Sequence, residues 1–102
     1  MTESLLTLIC SPSLERPLID WLLEKDDIQG FTSSHAYGHG SDPDKLSLRE
    51  QVEGRKKQVV INIHMDSESA MLVINDLRKD FKGAKIHYWL VPVIASGNLS
   101  GN

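Results

Sequence analysis

Apolar and polar residues repeat along the chain with two different periods, and the change of period marks the predicted elements. Over residues 58–65 the apolar side chains occupy every second position, which is typical of a strand with one buried face. Residues 5–10 form a nearly continuous apolar run, which predicts a strand covered on both faces. We predict two further strands, over residues 28–37 and 85–93, of which the former has the composition of an edge strand.

Two other segments carry apolar residues at intervals of three or four, the spacing of one helical face. The first is predicted to begin near Ser13, because Pro17 is tolerated only in the first turn of a helix, and to end at Asp26 and Asp27. The second lies between the third and fourth strands. Asp66 or Ser67 is its expected N-cap, and its apolar positions continue to Phe81.

The predicted order β-α-β-β-α-β is that of the ferredoxin-like α+β fold, with two helices on one face of a four-stranded antiparallel sheet. Right-handed crossovers place the first and third strands at the centre of that sheet. Residues 1–94 then form a single domain, and the small polar residues of 95–102 predict a mobile tail. The face without helices still carries apolar side chains, which predicts an interface between copies of the chain.

The longest connection joins the second strand to the third, over about residues 38–56. It is polar, contains closely spaced glycines at its start, and ends in the basic triplet 55–57. Loops of this length in a small domain are usually functional or disordered. The triplet is typical of a solvated strand start, although it could also meet an acidic partner or a phosphate.

Charge and composition exclude several classes of function. The net charge of −3 argues against binding nucleic acid. A single cysteine gives no internal disulfide, and no apolar stretch approaches the length of a membrane span, so we expect a cytoplasmic chain that is not inserted in a membrane. No nucleophile, base and orienting group occur in a convincing set, which predicts a protein that is not an enzyme.

Histidine and cysteine side chains suggest a transition-metal site, although these residue types do not choose among copper, zinc and nickel. His35 and His39 could bind one ion only if the chain bends near Gly38, because four residues of extended strand span roughly 13 Å. A second cluster is predicted at one end of the sheet and consists of Cys10, His64 and His87. The alternative is a buried cysteine that acts as a small apolar residue, with histidines on exposed or interface surfaces.

Four short stretches give the chain a resemblance to a known family. They are residues 28–32, the Gly-His-Gly of 38–40, the Glu-Gly of 53–54 and the Gly-Ala-Lys-Ile of 83–86. The last is similar to a reduced form of the phosphate loop of PII signalling proteins. The resemblance to PII implies a homotrimer with ligand sites in the clefts between subunits, and a partner-binding loop between the second and third strands.

The resemblance also implies which residues would bind a ligand, namely Gly38, His39, Gly40 and Lys85. Two nearby glycines allow the backbone to approach an anion, and a lysine can match its charge. The alternative is that the glycines only shape the loop and that the lysine is solvated. The implied ligand is an adenine nucleotide or another small molecule, and the implied partner is a membrane transporter or another protein.

The chain departs from typical PII proteins at several places. Residues 78–82 stand where those proteins carry an Arg-Thr-Gly stretch, the C-terminal arginine segment is missing, and residues 46–50 hold no tyrosine. The chain therefore resembles the small PII-like families related to the cation-tolerance protein CutA, some of which are associated with heavy-metal efflux. A regulatory protein is the first hypothesis. The alternatives are a transition-metal-binding protein for heavy-metal tolerance or efflux, and a purely structural trimeric adaptor.

Overall fold

A computed structural model describes residues 2–40 and 56–101 of the chain. It contains four strands and two α-helices in the predicted order. The first helix is preceded by one turn of 3-10 helix, at Pro12–Leu14. The elements are β1 (Glu3–Cys10), α1 (Glu15–Leu23), β2 (Thr32–Gly38), β3 (Lys56–Asp66), α2 (Ser67–Asp80) and β4 (His87–Pro92).

The four strands form one antiparallel sheet in the order β2-β3-β1-β4. The central pair, β1 and β3, runs in register from Glu3 opposite Asp66 to Cys10 opposite Val59. Both helices pack on the same face. The predicted ferredoxin-like α+β fold, with β1 and β3 at its centre, is therefore confirmed.

The core lies between this face of the sheet and the two helices. The alternation predicted for β3 is present, since its helix-facing side chains are buried and their neighbours are more exposed. Leu18 and Leu22 of α1 pack into the same cluster as four residues of α2. The helix-facing residues of the two central strands are Leu6, Leu8, Cys10, Val59, Ile61, Ile63 and Met65.

Three predicted boundaries were wrong. Helix α1 ends at Leu23, because Lys25 and Ile28 donate backbone hydrogen bonds three residues back and so form turns. Strand β2 begins its ladder at Thr32, and β4 begins at His87. The predicted cap of α2 is confirmed, since the Oδ2 atom of Asp66 accepts a hydrogen bond of 3.1 Å from the backbone N–H of Ser69.

The register decides which side chains of β4 lie on the face without helices, which we call the open face. Tyr88 and Leu90 pair with helix-facing residues of β1. Trp89 and Val91 therefore lie on the open face, where they join Val60 and alternate residues of β1. The open face is partly apolar, as predicted, and its role as an interface stays a prediction.

Two further predictions concern the loop and the C-terminal tail. Most of the predicted loop, residues 41–55, lies outside the described residues, as do Met1 and Asn102. From Val93 to residue 101 the chain forms no helix or strand, only a turn that ends at Gly101. In the part of the chain that the structure describes, no helix is both long and apolar enough to cross a membrane.

Candidate functional site

A groove opens where the end of β1 meets the starts of β3 and β4, and we call it the basic groove. It forms because β3 runs antiparallel to β1, so Val59 lies opposite Cys10, while His87 of β4 lies opposite Ile9. Its volume is about 540 Å³, within the roughly 300–1,000 Å³ usual for small-molecule sites. Its polar and small lining residues are Ser11, Lys56, Gln58, Ala84, Lys85 and His87.

The charge of the groove comes from two lysines on different elements. Lys56 is the first residue of β3, and Lys85 precedes β4. Neither forms an ion pair with any carboxylate of residues 2–40 and 56–101. Two ammonium groups without a partner in the described chain favour an anionic ligand. The hydroxyl of Ser11 and the amide of Gln58 add neutral hydrogen-bonding groups.

Of the predicted ligand-binding residues, Lys85 lines the basic groove and Gly38 borders it through Gln58. A Cβ atom added at Gly38 would lie 2.6 Å from Oε1 and 2.8 Å from Nε2 of Gln58, closer than such atoms approach. Glycine is therefore needed there to admit the Gln58 amide. His39 and Gly40 are exposed and lie outside the groove lining, and a Cβ at Gly40 would meet nothing within 4 Å.

The histidine pair predicted near the loop is not assembled as a metal site. The Nε2 atom of His35 lies 3.1 Å from Oε2 of Glu15, so a carboxylate on α1 already pairs with this ring. His39 follows the end of β2 and is exposed. Among the described residues, no three histidine, cysteine or acidic side chains group closely enough to hold a metal ion.

The predicted cluster of Cys10, His64 and His87 was wrong in its geometry. His64 lies opposite Leu5, at the other end of the sheet and roughly 15 Å along β1 from Cys10. The antiparallel direction of β3 separates them, because the end of β3 lies beside the start of β1. Cys10 and His87 do border the same groove, but they follow neighbouring positions of β1 and so lie on opposite faces.

The environments of these side chains also argue against a ready metal ligand. Burial, and to a lesser degree the charge of Glu15, raises the pKa of the Cys10 thiol, whereas metals bind the thiolate. His64 has a carboxylate partner, with 2.8 Å between its Nε2 atom and Oε1 of Glu3. These contacts are typical of a structural cysteine and of surface ion pairs.

Sequence reasoning missed Ser11 and Gln58 as site residues and treated Lys56 as part of a solvated basic triplet. The available signal was the position of Lys56 directly after the long loop. No pattern in the sequence indicates that Ser11 or Gln58 would meet Lys85, because this depends on the antiparallel register of β1 with β3 and β4.

Several solved structures share this fold. A DUF3240 family protein of Shewanella baltica OS155 has a TM-score of 0.77 and 21% identity, over 97% of this chain and 98% of that chain. CPII of Thiomonas intermedia K12, a nitrogen regulatory PII-like protein bound to ADP, AMP and bicarbonate, has a TM-score of 0.68 and 14% identity, over 97% and 98%. A protein of Thermus thermophilus described as PII-like has a TM-score of 0.63 and 18% identity, over 91% and 90%. No curated protein sequence matches the chain.

The architecture is thus that of PII-like proteins, which confirms the resemblance of the sequence at the level of the fold. The chain itself belongs to the DUF3240 family, described as proteins of unknown function, whose family model matches residues 1–100.

Proposed function

We propose that this chain is a non-enzymatic regulatory protein that binds an adenine nucleotide in the basic groove. In this proposal, binding changes the order of the loop over about residues 38–56. The loop then controls a protein partner in the cytoplasm, such as a membrane transporter. The observation that carries the proposal is that Lys56 and Lys85, two lysines without a described carboxylate partner, line one groove at the base of that loop.

The position of the groove supports a link between ligand and loop. Gly38 and Lys56 face each other as the last pair of the β2–β3 ladder, so the loop leaves the sheet between them. A phosphate bound by Lys56 therefore contacts the chain at the point where the loop begins. Ordering a loop costs about 1–2 kcal/mol per residue, so a ligand that orders a few residues can change a partner contact substantially.

The relatives support the choice of ligand class. CPII shares the fold and is bound to ADP, AMP and bicarbonate. In this chain the groove presents two ammonium groups and a hydroxyl, which suit the oxygens of a phosphate chain. The groove volume of about 540 Å³ is also large enough for more than a phosphate ion.

The same proposal includes assembly into a trimer through the open face. Trp89 and Val91 are exposed to 43% and 40% in the single chain, and both lie on this face beside the partly buried Val60. A neighbouring copy would cover these side chains and could complete the basic groove. An aromatic residue surrounded by aliphatic ones is typical of the centre of a protein interface.

The test is calorimetric titration of ADP and AMP into the wild-type chain and into Lys56→Met and Lys85→Met. Each variant should lose about tenfold or more in affinity, because a charge-assisted hydrogen bond is removed. Lys79→Met is the matched control, since Lys79 is an exposed lysine of α2 outside the groove. Limited proteolysis with and without nucleotide reports the loop.

Two results would contradict the proposal. Unchanged affinity in both groove variants would place the nucleotide elsewhere on the molecule. Saturating nucleotide that leaves proteolysis of the loop unchanged would remove the proposed switch.

A further inference from the structure

A second cavity lies on the other side of the segment 83–86, between the end of α2 and the edge strand β4. We call it the α2–β4 pocket. It has a volume of about 290 Å³, and none of Lys56, Lys85 and His87 lines it. Its apolar walls come from both layers of the fold and consist of Leu8, Ile74, Leu77, Phe81 and Ile86.

Two cations stand at the rim of this apolar pocket. Arg78 is exposed on the last turn of α2, and Lys82 follows one turn later. The Nη2 atom of Arg78 donates a hydrogen bond of 2.6 Å to Oη of Tyr88, and its Cζ atom lies 5.7 Å from the centre of that ring. The guanidinium is thus held over β4 by a neutral group.

These cations have no acidic partner in the described chain. Apart from its bond to Tyr88, Arg78 makes a long hydrogen bond of 3.4 Å from Nη1 to Oδ1 of Asn75. Within residues 2–40 and 56–101, neither Arg78 nor Lys82 forms an ion pair. A guanidinium carries five N–H donors, so most of its hydrogen-bonding capacity is available to a ligand.

We propose that the α2–β4 pocket binds a small organic carboxylate with a compact apolar body. The apolar walls would cover the body, and the carboxylate would lie at the rim, where Arg78 can donate two parallel hydrogen bonds. Tyr88 already accepts from Arg78, so its own O–H remains able to donate to the carboxylate. Lys82 supplies a second positive charge.

Volume and polarity separate this ligand from a nucleotide. At about 290 Å³ the pocket is little more than half the size of the basic groove, at about 540 Å³, and its walls offer few polar groups to a ribose. The site does not depend on the proposed nucleotide function, because the lysines of the basic groove are not part of it. Loss of one proposal would leave the other standing.

The experiment is a titration of the isotope-labelled full chain, followed by amide chemical shifts, with 3-phenylpropionate and octanoate. Saturable shifts are expected at residues 77–88. The uncharged 3-phenylpropanol tests the need for the carboxylate, and inorganic phosphate tests the need for the apolar body. Both should bind about tenfold more weakly or worse.

Variants then test the residues. Arg78→Met should weaken binding of 3-phenylpropionate about tenfold, and Tyr88→Phe should weaken it by a smaller factor, because only a neutral donor is lost. Lys79→Met, on the adjacent exposed position of α2, should bind as the wild type does. Lys85→Met should also leave this binding unchanged.

Four outcomes would overturn the proposal. They are absence of saturable shifts, equal binding of 3-phenylpropanol, equal binding of inorganic phosphate, and equal effects of Arg78→Met and Lys79→Met. Because Arg78 is exposed and outside the core, Arg78→Met is expected to fold. The amide spectrum of the free variant verifies this directly.

Discussion

Gly38 and Gln58 are packed so closely that a Cβ atom at position 38 would lie 2.6 Å from the Oε1 atom of the glutamine. Gly38 ends β2 at the base of the loop, and Gln58 lines the basic groove. The backbone of Gly38 has no positive φ, so alanine is compatible with its conformation. The glycine is needed for space alone, and the space serves a side chain of the site.

We therefore expect Gly38→Ala to displace the Gln58 amide and to lower nucleotide affinity by about fivefold, the effect of roughly 1 kcal/mol. Gly40→Ala is the control, because a Cβ there meets nothing within 4 Å. In a Gln58→Ala background, Gly38→Ala should cost no further affinity, since the clashing amide is gone. An equal loss in both backgrounds, measured by calorimetry, would refute the role of Gln58.

Replacing Trp89 by glutamate should dissociate the proposed trimer. A charge in the centre of an apolar interface is costly unless it is paired. Light scattering should give three times the 11.4 kDa chain mass for the wild type and the single chain mass for Trp89→Glu. Leu72→Glu is the control, because Leu72 is 59% exposed on the helical layer. A monomeric wild type would contradict the proposed assembly.

The free energy of unfolding should fall at alkaline pH through Cys10. Burial raises the pKa of its thiol in the folded chain, so the unfolded chain loses this proton at a lower pH than the folded chain does. The contribution of the thiol is complete below its unfolded pKa and is lost as the pH rises through the folded value. Urea unfolding at neutral pH and at about pH 10 measures the change.

Cys10→Ala isolates this contribution. The difference in unfolding free energy between the wild type and Cys10→Ala should shrink at the higher pH, because alanine has no proton to lose. A difference that is constant with pH would show that other groups cause the alkaline loss of stability.

Transition-metal binding tests the alternative function read from the sequence. We expect His64→Ala to leave the stoichiometry and affinity for zinc, nickel and copper unchanged, because His64 lies with Glu3 at the end of the sheet opposite Cys10 and His87. Calorimetric titration with a chelator control measures both quantities. Binding that requires His64 would mean that a site forms with residues from another copy of the chain.

The sequence by itself determined the architecture. The period of two over β3, the period near 3.6 in the helices and the order of elements are local or topological properties, and they led to the ferredoxin-like sheet with β1 and β3 at its centre. The cap at Asp66 was predictable for the same reason, since capping depends on a few neighbouring residues.

Element ends and long-range contacts were less predictable. The turns after Leu23 and the start of the β2 ladder at Thr32 depend on which backbone groups find partners. The residues of the basic groove come from three separate parts of the chain, so no single stretch could reveal Gln58 beside Lys85.

Tertiary structure alone decided which candidate residues meet. Antiparallel pairing brings Lys56 and Lys85 to one groove, and the same pairing moves His64 to the opposite end of the sheet from Cys10. It also places Arg78 above Tyr88, a contact between a helix and an edge strand. Periodicity specifies the face on which a side chain lies, whereas the direction and register of neighbouring strands specify which side chains share that position.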